Sequence, residues 1–175
     1  NYLQELYSNA GGLMSKTYTD WSAQDLGGDR DFAYQSKMVT DENGKQTAKE
    51  YSYDLTNGNL IRETNYGKVS ALINNFFDID TDKRTTNYVY TTVGPSRVST
   101  VEVIDQSGAK IREQRFYYDD QALATANKGN VTKIESWVTG LEFVNIQKSY
   151  NLVGLVATET DPRGNNTQYA YDSYN

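Results

Sequence analysis

Along most of this chain apolar and polar residues alternate with a period of two. The runs Lys49–Leu55, Asn59–Thr64, Thr86–Val93, Arg97–Asp105, Lys110–Asp119, Asn130–Gly140, Leu155–Asp161 and Thr167–Asp172 all read this way. Such alternation puts successive side chains on opposite faces of a pleated strand. Turn-forming residues punctuate the runs: Asp41-Glu42-Asn43-Gly44, Asn57-Gly58, Asp105-Gln106-Ser107-Gly108, Lys128-Gly129-Asn130 and Asp161-Pro162-Arg163-Gly164. Short strands at regular intervals with turns of this kind predict an all-β array of antiparallel hairpins. Helical spacing is scarce. Leu3, Leu6 and Tyr7 before Gly11-Gly12 offer one short helix, or equally a strand end and a turn. The alanine-rich stretch from Asp119 to Gly129 offers a second.

Aligned on their tyrosines, the runs form about four units between residues 41 and 175. Unit one carries Tyr51-x-Tyr53-Asp54 and Gly58; unit two carries Tyr88-x-Tyr90 and Gly94. Unit three carries Tyr117-Tyr118-Asp119, an insertion, then Gly129. Unit four carries Tyr150 and Gly154, then Asp161-x-x-Gly164 leading to Tyr169-x-Tyr171-Asp172. Residues 1–40 read as an upstream partial repeat, with a half-unit at Lys16–Asp20, and the pattern is expected to continue beyond this piece. Physically, each Tyr-x-Tyr pair places two rings on one strand face, Asp bonds turn amides, and Gly supplies the positive φ of the turn. A hairpin of this kind cannot bury its own face, so stacking is expected to bury it. The expectation for Tyr53, Tyr90, Tyr118, Tyr150 and Tyr171 is a ladder of stacked rings.

These residues resemble the YD-repeat, or RHS-repeat, family. Three stretches carry the likeness. They are Tyr53-Asp54-x-x-x-Gly58-Asn59-Leu60, Tyr150-Asn151-x-x-Gly154-Leu155-Val156, and Asp161-Pro162-Arg163-Gly164 through Tyr169-x-Tyr171-Asp172. Three places depart from it: an extra residue before Gly58, no Asp after Tyr90, and the insertion between Asp120 and Gly129. The resemblance implies a long β-ribbon that curves like a solenoid or forms part of a hollow shell, in a secreted or cell-surface bacterial protein. In the family the shell encloses a C-terminal effector or toxin, or stiffens an adhesion protein. The family's self-cleaving core has no counterpart here. The expectation is therefore a non-enzymatic wall whose partners are neighbouring repeats and an enclosed effector; the alternative is an adhesin or carbohydrate-binding module.

Composition narrows the field. The 175 residues include no Cys and no His, which excludes disulfides, Cys/His zinc sites and His-dependent nucleophilic triads within the chain. A net charge of -6 without a basic cluster argues against nucleic acid as a partner. No apolar run is long enough for a membrane-spanning helix. No catalytic residues and no cofactor are expected. Asp78, Asp80 and Asp82 have the one-three-five spacing of a calcium loop, but Lys83 stands where glycine is needed and Val89 where the bidentate Glu belongs. They read as a solvated acidic loop and remain the one weak metal candidate. Trp21, Trp137 and Phe143 read as packing aromatics before a sugar-stacking platform. The loops Asn57-Gly58-Asn59 and Gly27–Asp31 lack the context of a phosphate cradle.

Overall fold

The computed structural model describes residues 2–28, 30–72 and 75–172. Every regular element is a strand: β1 (Tyr2–Tyr7), β2 (Leu13–Asp25), β3 (Asp31–Glu42), β4 (Lys45–Tyr53), β5 (Leu60–Leu72), β6 (Asn75–Asp78), β7 (Arg84–Tyr90), β8 (Val98–Asp105), β9 (Lys110–Tyr118), β10 (Val131–Thr139), β11 (Glu142–Tyr150), β12 (Val156–Thr160) and β13 (Asn166–Gln168). They form one antiparallel sheet in chain order, with β6 set off the path as an extra partner of β5, and the path does not close on itself. Both prolines, Pro95 and Pro162, fall between strands, where no ladder amide is lost.

Neither helical possibility forms. Leu3, Leu6 and Tyr7 lie on edge strand β1, paired to β2 and exposed along its whole length. The stretch from Asp119 to Gly129 is a loop held by turn hydrogen bonds.

Ion pairs help fix the register. Glu5 and Lys16, Asp20 and Lys37, and Lys148 and Glu159 are each directly opposite across a ladder, with N···O distances of 3.0, 2.9 and 3.0 Å. Each such pair contributes ~0.2–1 kcal/mol. A one-residue slip would send the two partners to opposite faces.

By internal contacts the chain divides into two compact units, Asn1–Asn87 with Val103–Ala109, and Tyr88–Glu102 with Lys110–Asn175. In the first, Tyr18, Val39, Ala48 and Gly67 form one row across β2 to β5. Val39 and Ala48 are each 1 % exposed and Val69 is 3 % exposed; Tyr18, Tyr66, Ala71 and Phe76 pack against them. The Tyr66 and Phe76 rings meet edge-on at 4.7 Å. In the second, Tyr118 and Ala126 are the buried hydrophobic residues, and Ser99, Glu113 and Thr132 are buried polar ones. So few buried apolar side chains mean that ladder hydrogen bonds and cross-strand pairs supply most of the local order.

Candidate functional site

The feature that recurs is a closed turn. In Asp105–Ala109, Asn151–Leu155 and Asp161–Asn165 the first residue's N–H donates to the carbonyl of the fifth, at 2.9 Å in each case. The glycine N–H, from Gly108, Gly154 or Gly164, donates back to the first residue's carbonyl at 3.0 Å. The first side chain completes the turn by accepting from the third and fifth amides: Asp105 Oδ1 from Ser107 and Ala109, Asn151 Oδ1 from Val153 and Leu155, Asp161 Oδ1 from Arg163 and Asn165. Asn151 makes the same bonds as the two aspartates. The turn therefore requires an oxygen acceptor at this position and does not require its charge.

Two variants keep the base of this turn and lengthen its interior. Asp54 N–H donates to Asn59 O at 2.8 Å, so the extra residue before Gly58 is absorbed inside the loop. Asp119 N–H donates to Asn130 O at 2.8 Å, across the whole insertion. In all five turns the accepting carbonyl belongs to the residue immediately after the glycine. Ser8 N–H donates to Gly12 O at 2.8 Å and Ser8 Oγ accepts from Gly12 N–H, a sixth example, at the strand end and turn that the sequence offers as the alternative to a helix. The signal was Ser8-x-x-Gly11, with serine standing for aspartate. The turn at Asp41 differs. It is a tight hairpin with Asn43 and Gly44 at φ 52° and 81°, and Asp41 Oδ1 accepts from Gly44 N–H.

The aspartates show their environment in their acidity. Hydrogen bonds from the Thr56 hydroxyl to Asp54, the Ser107 hydroxyl to Asp105 and the Asn165 side chain to Asp161 lead the effects that hold these carboxyls below their ordinary value. Burial pushes Asp119 upward, but four backbone N–H groups, from Asn127, Lys128, Gly129 and Asn130, outweigh it and hold it low.

The tyrosines act differently from the expected ladder of rings. The Tyr118 hydroxyl donates to Val98 O at 2.7 Å, Tyr150 to Val131 O at 2.8 Å and Tyr171 to Val156 O at 2.8 Å. Each accepting residue is the first of a strand in the second unit. These three are joined to the sheet by their hydroxyls, and among the described residues none of their rings stacks on another aromatic ring. Tyr53 does meet other rings, tilted against Tyr34 at 5.2 Å and edge-on to Phe32 at 6.0 Å, and Gly58 lies against the same Phe32 ring. Tyr90 is half-buried, and Asp172 is exposed after Tyr171.

Gly94 serves a closer approach than a turn demands. A Cβ there would lie 1.7 Å from the Ala126 carbonyl oxygen, because the insertion packs on the Thr91–Arg97 turn. Thr92 N–H donates to Ala124 O and Ala126 N–H to Val93 O. Gly129 likewise faces the Arg97 side chain.

Asp78, Asp80 and Asp82 bond one another's backbones: Asp80 N–H reaches Asp78 Oδ1 at 3.5 Å and Asp82 N–H reaches Asp80 Oδ1 at 3.1 Å. The Asp82 carboxyl is raised by its hydrogen bond to the Asp80 side chain, and it sits where a Cβ on Gly67 would collide with it. Among the described residues no group of three acidic side chains is arranged to hold a metal ion. Trp137 and Phe143 are directly opposite on β10 and β11, but Lys110 lies over the indole at 5.7 Å and Arg115 over the phenyl ring at 4.2 Å. Both cations also bind the buried Glu113. Trp21, in the other unit, is half exposed. Within the loop after Leu26, Asp29 lies outside the described residues; Gly27 N–H bonds Asp25 Oδ1, as in a simple turn. No described helix is long and apolar enough to cross a membrane.

No protein-family model matches the chain. Comparison with curated proteins yields no match either.

Proposed function

We propose that this chain is a non-enzymatic wall segment of a large secreted or surface bacterial protein of the YD-repeat type, a segment that encloses or presents a C-terminal effector. The recurrence of one closed turn, in an antiparallel sheet that buries few apolar side chains, carries this reading. A sheet of this kind derives its order from ladders, turns and tyrosine hydroxyls. It can therefore extend strand by strand, as a wall must. The open edges at β1 and β13 suit continuation by further strands of the same kind.

The test uses the parent protein, comparing its native particle size with its fragments on a denaturing gel and their intact masses. One native particle that separates into a large piece and a small released piece supports the enclosing wall. A hollow particle of one uncut chain supports a wall that presents its effector. A compact solid particle with no interior sinks the wall reading, and the adhesin alternative then leads.

A further inference from the structure

We propose that the hairpin tip at Asn43-Gly44 is a site of self-catalysed modification, at which the Gly44 nitrogen attacks the Asn43 side-chain amide and expels ammonia. The ring that forms is a succinimide, and water opens it to aspartate or isoaspartate.

The chain contains two Asn-Gly pairs, at 43–44 and at 57–58. Both asparagines are exposed, so access does not distinguish them. Tethering does. The Asn57 side chain is held at both ends: its nitrogen donates to Asp54 Oδ2 at 2.7 Å, and its oxygen accepts from Asn59 N–H at 2.9 Å. The Asn43 side chain makes no hydrogen bond among the described residues. It is free to swing its Cγ toward the next backbone nitrogen, the approach that closes a five-membered ring. Glycine at position 44 has no Cβ to obstruct that approach.

The two nucleophiles differ as well. Gly58 N–H donates to the Asp54 carbonyl at 2.8 Å, and a carbonyl oxygen takes up no proton near neutral pH. Gly44 N–H donates to the carboxylate Oδ1 of Asp41 at 2.8 Å, within the ~2.6–3.2 Å reach required of a general base. Asp41 is steadied in turn by Gln46, whose amide donates to Oδ2 at 2.9 Å. Nucleophile and base are therefore in place before the reaction begins.

The step balances within the chain and one water. The Gly44 nitrogen bonds to Asn43 Cγ while its proton passes to Asp41. Asp41 returns the proton to the departing amide nitrogen, which leaves as ammonia. Water then breaks one of the two C–N bonds of the ring. Breaking the bond to Cγ leaves aspartate; breaking the bond to the main-chain carbon leaves isoaspartate, with one more methylene in the backbone. Asn43 and Gly44 are the whole loop between β3 and β4, so that methylene falls where loop length sets the register of Val39 opposite Ala48. This inference does not depend on the wall reading.

Peptide mapping by mass spectrometry of the full chain, aged at neutral pH, tests it. In the folded chain Asn43 should exchange its carboxamide for a carboxyl, partly as isoaspartate, about tenfold faster than Asn57. In denaturant, where the tethers and the base contact are lost, the two sites should react at similar rates. Asp41→Asn keeps an oxygen acceptor for Gly44 N–H but removes the base, and should slow the reaction at Asn43 about tenfold while the melting curve stays native. Asn57 reacting as fast as Asn43 in the folded chain, or no reaction at either, overturns the site. A natively folded Asp41→Asn chain that reacts at the parent's rate overturns the role of Asp41. None of these results bears on the native particle of the parent protein, so this proposal and the wall reading fail separately.

Discussion

The hydroxyl of Tyr150 donates to the carbonyl of Val131 at 2.8 Å, fastening the end of β11 to the start of β10. Tyr118 does the same to Val98, and Tyr171 to Val156. Removing one hydroxyl leaves a half-buried carbonyl without its partner, so Tyr150→Phe should destabilise the fold by ~1 kcal/mol. Tyr169→Phe, at an exposed ring whose hydroxyl makes no hydrogen bond among the described residues, should change nothing. Denaturant melts of both variants decide the matter, and equal effects would show that the hydroxyl bond contributes no stability.

Glycine substitutions should separate backbone strain from collision. At Gly154, with φ 83° and open space around a would-be Cβ, Gly154→Val meets only the left-handed backbone penalty, of ~1–2 kcal/mol. Gly94→Ala should cost more despite its smaller side chain, because its Cβ would run into the Ala126 carbonyl. Asp80→Ala, in the acidic loop, should cost least. Thermal melts should show the largest loss for Gly94→Ala, a smaller one for Gly154→Val and the smallest for Asp80→Ala; a Gly94→Ala variant as stable as the parent would mean that the insertion does not hold this position.

Acid should loosen the turns one carboxylate at a time. Asp105 and Asp161 are held below the ordinary 3.8 by their side-chain and amide hydrogen bonds. A carboxyl depressed in the folded state stabilises fully above its unfolded value, and that stability is lost as pH falls from 3.8 through the lower folded value. Asparagine, as at position 151, makes the same turn without titrating. Asp161→Asn should therefore match the parent at pH 7 and lose less stability between pH 4 and pH 2. A parent and variant with superimposable acid melts would refute this.

Alkali should loosen the first unit at Tyr66. Tyr66 donates to Glu50 at 2.7 Å, and burial followed by this bond pushes its pKa up to about 12. A tyrosine raised in the folded state contributes stability below pH 10 that is lost as pH rises from 10 to about 12. Tyr66→Phe should remove that loss, and an ultraviolet titration should show one fewer late-ionising phenol. An unchanged titration would place the late phenol elsewhere.

The strands and most of the turns were legible because alternation and Asp-x-x-Gly are local signals. The strand end and turn at Ser8 were legible only as an alternative to a helix, since serine replaced aspartate and Leu3, Leu6 and Tyr7 happened to fall at helical spacing on an edge strand. The alanines after Asp119 suggested a helix, but a carboxylate that gathers four amides fixes the backbone more firmly than alanine's modest helical preference. Tyr118, Tyr150 and Tyr171 were found by position, and their hydroxyls bond carbonyls where stacked rings were expected. Whether a ring stacks or its hydroxyl reaches a carbonyl depends on how neighbouring strands align, and that is a non-local property.

The bond that closes each turn spans four residues from Asp105 to Ala109, five from Asp54 to Asn59 and eleven from Asp119 to Asn130, with the strands still meeting at its base. Doubling a loop adds only ~0.6 kcal/mol of closure entropy. Each turn is therefore a port at which sequence can be inserted without shifting the register of anything downstream. A surface of this design diversifies by accretion: new loops, and the chemistry they bring, can be added while the scaffold beneath stays unchanged.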